Sequence, residues 1–301
     1  MGIFLITLIG FLLAPTSAFA WGPITHLNYG IEVLSNLSML VGPLQELLKS
    51  YPHDFLYGCL AADITLKKNL VAYIHHCHNW DVGLSLLQKA KDPHQRAFVF
   101  GYLTHLAADT ISHNYYVPFF TVSSFSTTTL KHTYWELRFD ATREDKFWNM
   151  TKDVTQKYHK SDHDDMLKIH LKRTLLPFAT NKLIFNGLMT LSESKPWHHW
   201  IRRFSQNSPW ELSNEDVQEF FTLAMQAIFD FLNHQKDSKV YLIDPSGKIA
   251  LDQAKTLRKE FKLLSKALPE EEIQKRLQTF RNQLKQSLFE KPAHQKWVKV
   301  Q

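Results

Sequence analysis

The sequence is poor in residues that interrupt or cross-link a chain. It has 10 glycines, 12 prolines and two cysteines in 301 residues, and 44% of its residues are hydrophobic. This composition excludes a largely disordered chain and provides enough apolar side chains for one large core. Sustained alternation of polar and apolar residues is absent as well, so no strand is predicted. Apolar positions recur instead at spacings of three and four residues, which predicts an all-α fold.

The two cysteines, Cys59 and Cys77, allow at most one disulfide. In an oxidising compartment they could pair and close a short loop, which would stabilise the fold by about 3 kcal/mol. Cys77 could instead be a thiolate metal ligand, because it lies among histidines. Nitrogen and oxygen donors are abundant here, so a disulfide or a buried free thiol is the favoured interpretation.

Long apolar runs are absent after the N-terminus. Residues 3–13 are apolar but too few to span a bilayer, and Pro15 and the small residues Ala18 and Ala20 follow them. This pattern predicts a signal peptide over residues 1–20, cleaved before Trp21, and a secreted or periplasmic protein. The segment has no Lys or Arg, so its positive charge would come from the amino group alone. An uncleaved membrane anchor is the alternative.

Positive charge is concentrated at the C-terminal end. The net charge is +6, yet residues 248–301 hold 13 Lys and Arg against 6 Asp and Glu, whereas the remainder holds 22 against 23. A turn at residues 244–247 separates the main body, residues 21–245, from this basic extension, residues 246–301. Two amphipathic stripes predict a C-terminal helical hairpin that packs on the body or on itself. Peripheral membrane contact through these basic helices is the alternative.

Two internal segments are also predicted to be helical. Residues 142–176 are predicted to be helical throughout, because apolar positions recur at three and four residues. Residues 194–203 mix aromatic and basic side chains. That mixture would suit lipid headgroups or nucleotides, but a helix anchored in the core with basic rims is the favoured interpretation.

The strongest chemical signal comes from polar residues at helical spacing. His105, Asp109 and His113 recur every four residues, so on a helix they share one face. Small or apolar residues separate them, which predicts a buried helix, and a buried carboxylate between two histidines needs a partner. A divalent metal ion would be that partner. His132 and Glu136 repeat the spacing on a second predicted helix, and paired helices of this kind build metal clusters in bundles.

Other candidates are weaker when taken alone. A single His and Asp pair one turn apart is more often a surface hydrogen bond than a pair of ligands. Asp63 ends an apolar stretch and is predicted to be a ligand or to support one. His75, His76 and His78 are so close in sequence that only one or two of them could reach the same metal ion. An exposed loop without any ligand is the alternative for this histidine cluster.

Together these motifs resemble the zinc-dependent phospholipase C family. Its wider superfamily includes the zinc nucleases of fungi and plants and the N-terminal domain of glycosylphosphatidylinositol-specific phospholipase D. In that family the mature chain begins with a tryptophan whose amino group and carbonyl oxygen bind zinc. Trp21 fits this position and His26 matches the next ligand. The motifs extend to Glu136 and the helical pattern to about Asn233, and the resemblance implies a multi-helix bundle of the phospholipase C and zinc nuclease type.

The resemblance also implies a set of zinc ligands. The implied ligands are Trp21, His26, Asp63, His78, His76, His105, Asp109, His113, His132 and Glu136. Within the histidine cluster His78 is the first choice and His76 the second. The spacing of His105, Asp109 and His113 is like that of the phospholipase D relative, and tighter before the last histidine than in the bacterial phospholipase C and nuclease prototypes, so it leaves the substrate branch open.

By the same resemblance, up to three zinc ions would be held. Asp63, His105, Asp109 and one histidine of the cluster would hold one ion, and Asp109 would bridge it to a second. Trp21 and His26 would complete the second site. The third ion would be held by His113, His132 and Glu136.

The chemistry follows from zinc. Water held between two zinc ions has its pKa lowered to about 7 and provides hydroxide at neutral pH. In-line attack on phosphorus then needs no side-chain nucleophile, and Asp63 could steer or deprotonate the water. The resemblance therefore implies a secreted phosphodiester hydrolase, most directly a phospholipase C that cleaves phospholipids. A zinc-dependent nuclease of the same fold is the first alternative. A non-catalytic, zinc-stabilised protein that binds a membrane or a partner is the second.

Overall fold

A computed structural model of the chain describes residues 21–64, 77–127, 132–157, 161–170 and 176–288. Within these ranges every regular element is a helix, which confirms the predicted all-α fold. The α-helices are α1 (Pro23–Ser35), α2 (Gly42–Ser50), α3 (Pro52–Ala61), α4 (Trp80–Lys89), α5 (Pro93–Ile111), α6 (Val117–Ser123), α7 (His132–Asp140), α8 (Asp145–Trp148), α9 (Ser161–His170), α10 (Phe178–Ser192), α11 (Lys195–Gln206), α12 (Asn214–His234), α13 (Lys248–Leu264) and α14 (Glu270–Ser287).

Shorter helical segments of other types join them. The 3-10 helices are Leu37–Met39, Ala62–Ile64, Gln235–Asp237 and Lys239–Leu242, and the π-helical segments are Ser112–Tyr116 and Asp153–Lys157.

Helix α5 is the centre of the fold. It packs against α1, α3, α4 and α12, and almost all of its residues are buried. Because other helices cover α5 on all sides, its sequence is apolar all round rather than along one stripe.

Helices α3 and α5 cross so closely that their main chains are in contact. A Cβ atom on Gly58 would lie 1.9 Å from the carbonyl oxygen of Phe98, and one on Gly101 would lie 1.9 Å from that of Phe55. Both positions therefore require glycine. Gly101 lies four residues before His105, and Gly58 lies five residues before Asp63.

Residues 142–176 do not form one continuous helix, so that prediction was wrong. The short helix α8 is followed by the π-helical segment Asp153–Lys157 and then by α9. Phe147 and Trp148 of α8 pack with Trp197 in a small apolar cluster outside the main core. The apolar positions of this segment therefore serve two separate surfaces, which one straight helix could not reach.

The C-terminal hairpin packs on the rest of the chain. Helices α13 and α14 both contact α6, and their apolar stripes are buried. Arg281 of α14 forms ion pairs with Asp216 (2.6 Å) and Glu219 (2.5 Å) of α12, and Lys285 pairs with Glu219 (2.7 Å). Packing on the body is one of the arrangements expected for these stripes. The domain boundary at residue 245 stays a prediction.

Cys59 and Cys77 are both buried, and no disulfide joins these two described residues. Burial raises the pKa of the Cys59 thiol, so this side chain is protonated at neutral pH.

The predicted signal peptide, residues 1–20, lies outside the described residues, as do His75 and His76. Among the helices that are described, none has both the length and the hydropathy needed to span a membrane.

Candidate metal centre

Helix α5 brings two predicted residues to the centre of the fold. Its first residue is Pro93, and the side chain of the preceding Asp92 accepts a hydrogen bond from Gln95 N (2.8 Å), as is usual at a helix N-terminus. His105 and Asp109 lie further along with no exposed surface. His105 Nε2 is 3.2 Å from Asp109 Oδ2. The four-residue spacing thus forms the predicted pair on a buried helix face.

Asp63 and His78 reach this pair from two other segments. Asp63 lies in the 3-10 helix after α3, and His78 lies just before α4. His78 Nε2 is 3.2 Å from Asp63 Oδ1 and 3.1 Å from His105 Nε2. His78 Nδ1 is 3.3 Å from Asp109 Oδ2. One imidazole ring therefore faces two carboxylates and a second imidazole.

His26 of α1 lies on the other side of His105. The two rings are stacked with centroids 3.6 Å apart, and His26 Nε2 is 3.2 Å from Asp109 Oδ1. Asp109 thus points one oxygen at His26 and the other at His78 and His105. A carboxylate that bridges two cations would have this arrangement.

His113 lies in a wider turn than the sequence predicts. α5 ends at Ile111, and the chain continues as the π-helical segment Ser112–Tyr116. His113 Nδ1 donates a hydrogen bond to the carbonyl oxygen of Pro245 (2.5 Å). Its ring centroid is 6.0 Å from that of His78 and 4.8 Å from that of His132. The π turn therefore places His113 between two groups of candidate ligands.

Helix α7 contributes the last pair. His132 Nε2 lies 2.8 Å from Glu136 Oε1, one turn apart as predicted. The Glu136 side chain is buried, whereas that of His132 is 10% exposed. The cluster therefore comes closest to solvent at His132.

Four groups of three side chains have candidate ligand atoms within 4.8 Å of one another. The groups are His26, His105 and Asp109; Asp63, His78 and His105; His78, Asp109 and His113; and His113, His132 and Glu136. The structure thus brings together every predicted side-chain ligand that lies in its described part. Their roles as metal ligands stay predictions.

The donor set fits zinc, which prefers imidazole nitrogen and carboxylate oxygen in such sites. His26 Nε2 and both carboxylate oxygens of Asp109 are buried and make no hydrogen bond within the described residues. Buried polar atoms of this kind are costly unless a cation binds them. His105 Nδ1 donates to the carbonyl oxygen of Cys59 (2.8 Å), which leaves the Nε2 lone pair directed at the carboxylates.

The protonation states also suit metal binding. Burial, assisted by the nearby His105, lowers the pKa of His26 to about 4. Burial alone would raise the pKa of Asp109, but His105, His78 and His26 together hold it well below its usual range. At neutral pH the cluster therefore presents a neutral imidazole at His26 and an ionised carboxylate at Asp109, the forms that bind metal ions.

Trp21 is fixed beside the cluster by its side chain. The indole is fully buried between Tyr116 and Phe139, with centroid distances of 4.7 and 4.2 Å. Its Nε1 donates to the carbonyl oxygen of Ala108 (3.0 Å), the residue before Asp109. The role of the Trp21 amino group and carbonyl oxygen as zinc ligands stays a prediction.

Asp140 is a buried residue that the sequence patterns did not single out. Its carboxylate accepts hydrogen bonds from Thr25 N (2.9 Å), Thr25 Oγ1 (2.6 Å) and Ile24 N (3.4 Å), and so caps α1. Burial raises its pKa to about 7, against the effect of these hydrogen bonds. A Cβ atom on Gly22 would lie 1.9 Å from Asp140 Oδ2. The one feature of the sequence that could have drawn attention to Asp140 is its position one helical turn after Glu136.

An all-α fold around buried histidines and carboxylates is typical of metal-dependent helical proteins. A family model described as zinc-dependent phospholipase C matches residues 25–183. This match covers more than half of the chain and includes all the side chains of the four groups, whereas Trp21 precedes it. The chain therefore belongs to the zinc-dependent phospholipase C family, which confirms the resemblance seen in the sequence. No curated protein and no solved structure matches the chain at a significant level.

Proposed function

We propose that the protein is a zinc-dependent phosphodiester hydrolase that cleaves phospholipids in the manner of a phospholipase C. One observation carries the proposal: four overlapping groups of candidate ligand atoms, almost all buried, lie inside a chain of the zinc-dependent phospholipase C family. Family membership supports hydrolase activity and zinc. The phospholipid substrate and the number of ions, up to three, belong to the proposal.

The overlap of these groups supports a division into shared and separate ligands. Asp109 belongs to two of the groups, with His26 on one side and His78 on the other, so it would be shared between two ions. His113, His132 and Glu136 would hold the third ion. Zinc in these positions would supply a Lewis acid for the phosphoryl oxygens and a water nucleophile at neutral pH.

The remaining roles belong to the protein itself: its hydrogen bonds orient the candidate ligands, and a side chain accepts the proton that the attacking water loses. Bonds from His105 and His113 to main-chain carbonyl groups keep the Nε2 atoms directed into the cluster. Asp109 faces three imidazoles with both its oxygens, and Asp63 Oδ1 faces His78 and His105. We propose that Asp63 also accepts a proton from the attacking water, because its carboxylate lies beside these candidate ligands.

We also propose that residues 1–20 are removed as a signal peptide and that the mature protein is secreted or periplasmic. The position of Trp21 supports this proposal, because its indole is bound to the residue before Asp109. A cleaved chain would add a free amino group as a ligand. We expect intact-mass analysis of exported protein to show Trp21 as the first residue, and protein that retains the signal peptide to bind less zinc. Equal zinc content in both forms would contradict the ligand role of Trp21.

A substrate panel tests the activity. Zinc-loaded protein that begins at Trp21 is incubated with phosphatidylcholine, phosphatidylethanolamine and phosphatidylinositol, and in parallel with single-stranded RNA and DNA. We expect diacylglycerol and phosphorylated headgroup as products. Release of nucleotides alone would identify a nuclease instead. Zinc-loaded protein that cleaves none of these substrates would indicate that the metal has a structural role.

A further inference from the structure

Helix α11 is anchored on one side and open to solvent on the other. Its N-terminus is capped by Ser194, whose hydroxyl oxygen accepts a hydrogen bond from Trp197 N (3.4 Å). Trp197 and Ile201 are buried in the small apolar cluster that also contains Trp148. The anchor confirms the core-attached helix favoured by the sequence, but it uses only one face of α11.

A ladder of aromatic rings runs along the edge of the anchored face. The ring centroids of Trp197 and Trp200 are 5.2 Å apart, and those of Trp200 and Phe204 are also 5.2 Å apart. Trp200 is 42% exposed. Together with Tyr134 and Trp210, the outer rings line an open groove of about 610 Å³. One exposed ring, that of Trp200, and three half-buried rings thus line the groove, and a group of accessible aromatic rings is typical of a contact surface.

Basic side chains occupy the outer face of the same helix. Lys195, His199, Arg202 and Arg203 are exposed and line a second open groove of about 580 Å³. Asp145 is the acidic residue in that lining, and it forms an ion pair with Arg202. The face therefore has an excess of positive charge directly beside the aromatic ladder.

This face lies one helix away from the candidate metal centre. Tyr134 of α7 lies between His132 and Glu136 in sequence and lines the aromatic groove. Its ring packs edge-on against that of Phe204, with the two ring centroids 5.4 Å apart. Arg138 of α7 donates hydrogen bonds to Ser205 Oγ (2.9 Å) and to the carbonyl oxygen of Trp210 (2.7 Å). The groove is thus held against the helix that carries the most exposed residue of the cluster.

We propose that the outer face of α11 docks the protein on anionic phospholipid bilayers. The proposal rests on the proposed phospholipid substrate, and it names the surface that would bring such a substrate to the metal centre. Positive charge complements an anionic leaflet, and tryptophan prefers the boundary between headgroups and acyl chains. The C-terminal hairpin is a poorer candidate, because its apolar stripes are buried against the body.

Vesicle co-sedimentation tests the charge contribution. The zinc-loaded full chain is mixed on ice with sucrose-filled vesicles of phosphatidylcholine, with or without phosphatidylserine. We expect binding to the serine-containing vesicles, weakened by salt because exposed charges are screened. The double variant Lys195→Glu, Arg203→Glu should bind them at least about tenfold more weakly. The matched control Lys262→Glu, Lys266→Glu reverses two exposed charges at the C-terminal end of α13 and should bind as the unchanged protein does.

A second pair of variants tests the aromatic contribution. Trp200→Ala should weaken vesicle binding, whereas Leu263→Ala, which truncates a 66% exposed leucine of α13, should not. Zinc content, far-UV circular dichroism and hydrolysis of a monomeric short-chain phosphatidylcholine should be unchanged in all four variants. Hydrolysis of vesicle phospholipid should fall only in the α11 variants.

The outcomes separate docking from catalysis. Cleavage of the monomeric substrate with vesicle binding unaffected by the α11 variants would overturn the docking proposal and leave the proposed function intact. Vesicle binding that depends on α11, in a protein that cleaves no phospholipid, would support docking and contradict the proposed function. Binding of single-stranded RNA in place of vesicles, or loss of a dimer on Trp200→Ala substitution, would overturn the docking proposal.

Discussion

Main-chain carbonyl groups orient two histidines of the candidate metal centre. His105 Nδ1 donates to Cys59 O at 2.8 Å, and His113 Nδ1 donates to Pro245 O at 2.5 Å. Each bond selects the tautomer in which Nε2 carries the lone pair. The candidate ligand atoms are therefore already oriented in the protein, and loss of one such side chain would remove both a donor and its fixed direction.

Replacement of His105 should remove zinc and activity together. We expect His105→Ala to lower phosphodiester hydrolysis by more than about 100-fold, since even the residues that only support ligands contribute factors of 10 to 100. Zinc content, measured by mass spectrometry of the metal, should fall in parallel. His234→Ala is the matched control, because His234 forms the same four-residue pair with Asp230 on the surface (3.0 Å). Full zinc content in His105→Ala would contradict its assignment as a ligand.

The sequence could predict the side chains of the cluster but not what supports them. His105 with Asp109, and His132 with Glu136, need only the geometry of one helical turn to meet. The hydrogen bond from Thr25 to Asp140 joins residues 115 positions apart, and that from His113 to Pro245 joins residues 132 positions apart. Such contacts depend on tertiary packing, which has no local signature in the chain.

At the scale of elements, helix types and breaks were harder to predict than helical content. Periodicity indicated helices over most of the chain, and the structure has them. It could not separate α-helix from π-helix at Ser112–Tyr116, because both place apolar residues on one side. It also could not reveal that residues 142–176 divide between two apolar surfaces. The spacing of apolar residues indicates that one face of a helix is buried, but it does not indicate which element packs against that face.

The crossing of α3 and α5 should tolerate no side chain. Gly101→Ala would place a methyl group 1.9 Å from Phe55 O, where two main chains would have to separate. We expect a loss of about 3 kcal/mol or more in the free energy of unfolding, measured by urea denaturation. Gly187→Ala in α10 is the control. Apart from its chain neighbours and the adjacent backbone of its own helix, no atom of the described residues lies within 4 Å of the position that the added methyl group would take, so removal of this helical glycine should be neutral or stabilising.

The ion pairs between α12 and α14 should depend on pH. Burial alone would raise the pKa of Glu219, but Lys285 and Arg281 lower it below the ordinary value. Its contribution is therefore present above the unfolded pKa of about 4.5 and is lost as the pH falls through the lower, folded value. Because these groups are partly exposed, we expect about 1 kcal/mol or less.

Glu219→Gln should test that contribution directly. Hydrogen exchange of α14 should become faster at pH 7, where the ion pairs are formed, and should differ little from the unchanged protein well below the folded pKa. Asp252→Asn is a suitable control, since Asp252 pairs with Lys255 on the surface of α13 (2.9 Å). Equal exchange of α14 at pH 7 in both variants would show that the apolar stripe alone holds the hairpin.

At the scale of the whole molecule, the cluster joins distant parts of the chain. Its side chains come from α1, the segments after α3 and before α4, α5 with its π turn, and α7. Buried carboxylates without a cation are unfavourable, so zinc binding and the stability of the entire fold should be linked.

Chelation should therefore lower the melting temperature. Free zinc at 100 times its dissociation constant would stabilise the folded state by about 2.7 kcal/mol per site. We expect differential scanning calorimetry to show a rise in melting temperature as free zinc increases, and a fall on addition of a chelator. The His105→Ala variant should respond much less. Identical melting with and without chelator in the unchanged protein would show that the cluster binds no ion under those conditions.

The turn before α13 limits how far this protein can be shortened. Pro245 O accepts a hydrogen bond from His113 Nδ1, and at Gly247, with its left-handed φ of +54°, a Cβ atom would lie 2.3 Å from His113 Cβ. A chain truncated after Pro245 would end in a carboxylate at this point and would favour a charged imidazolium over the neutral ring. A positive imidazolium cannot ligate a metal, so removal of the basic tail at that residue would also weaken metal binding at the candidate centre.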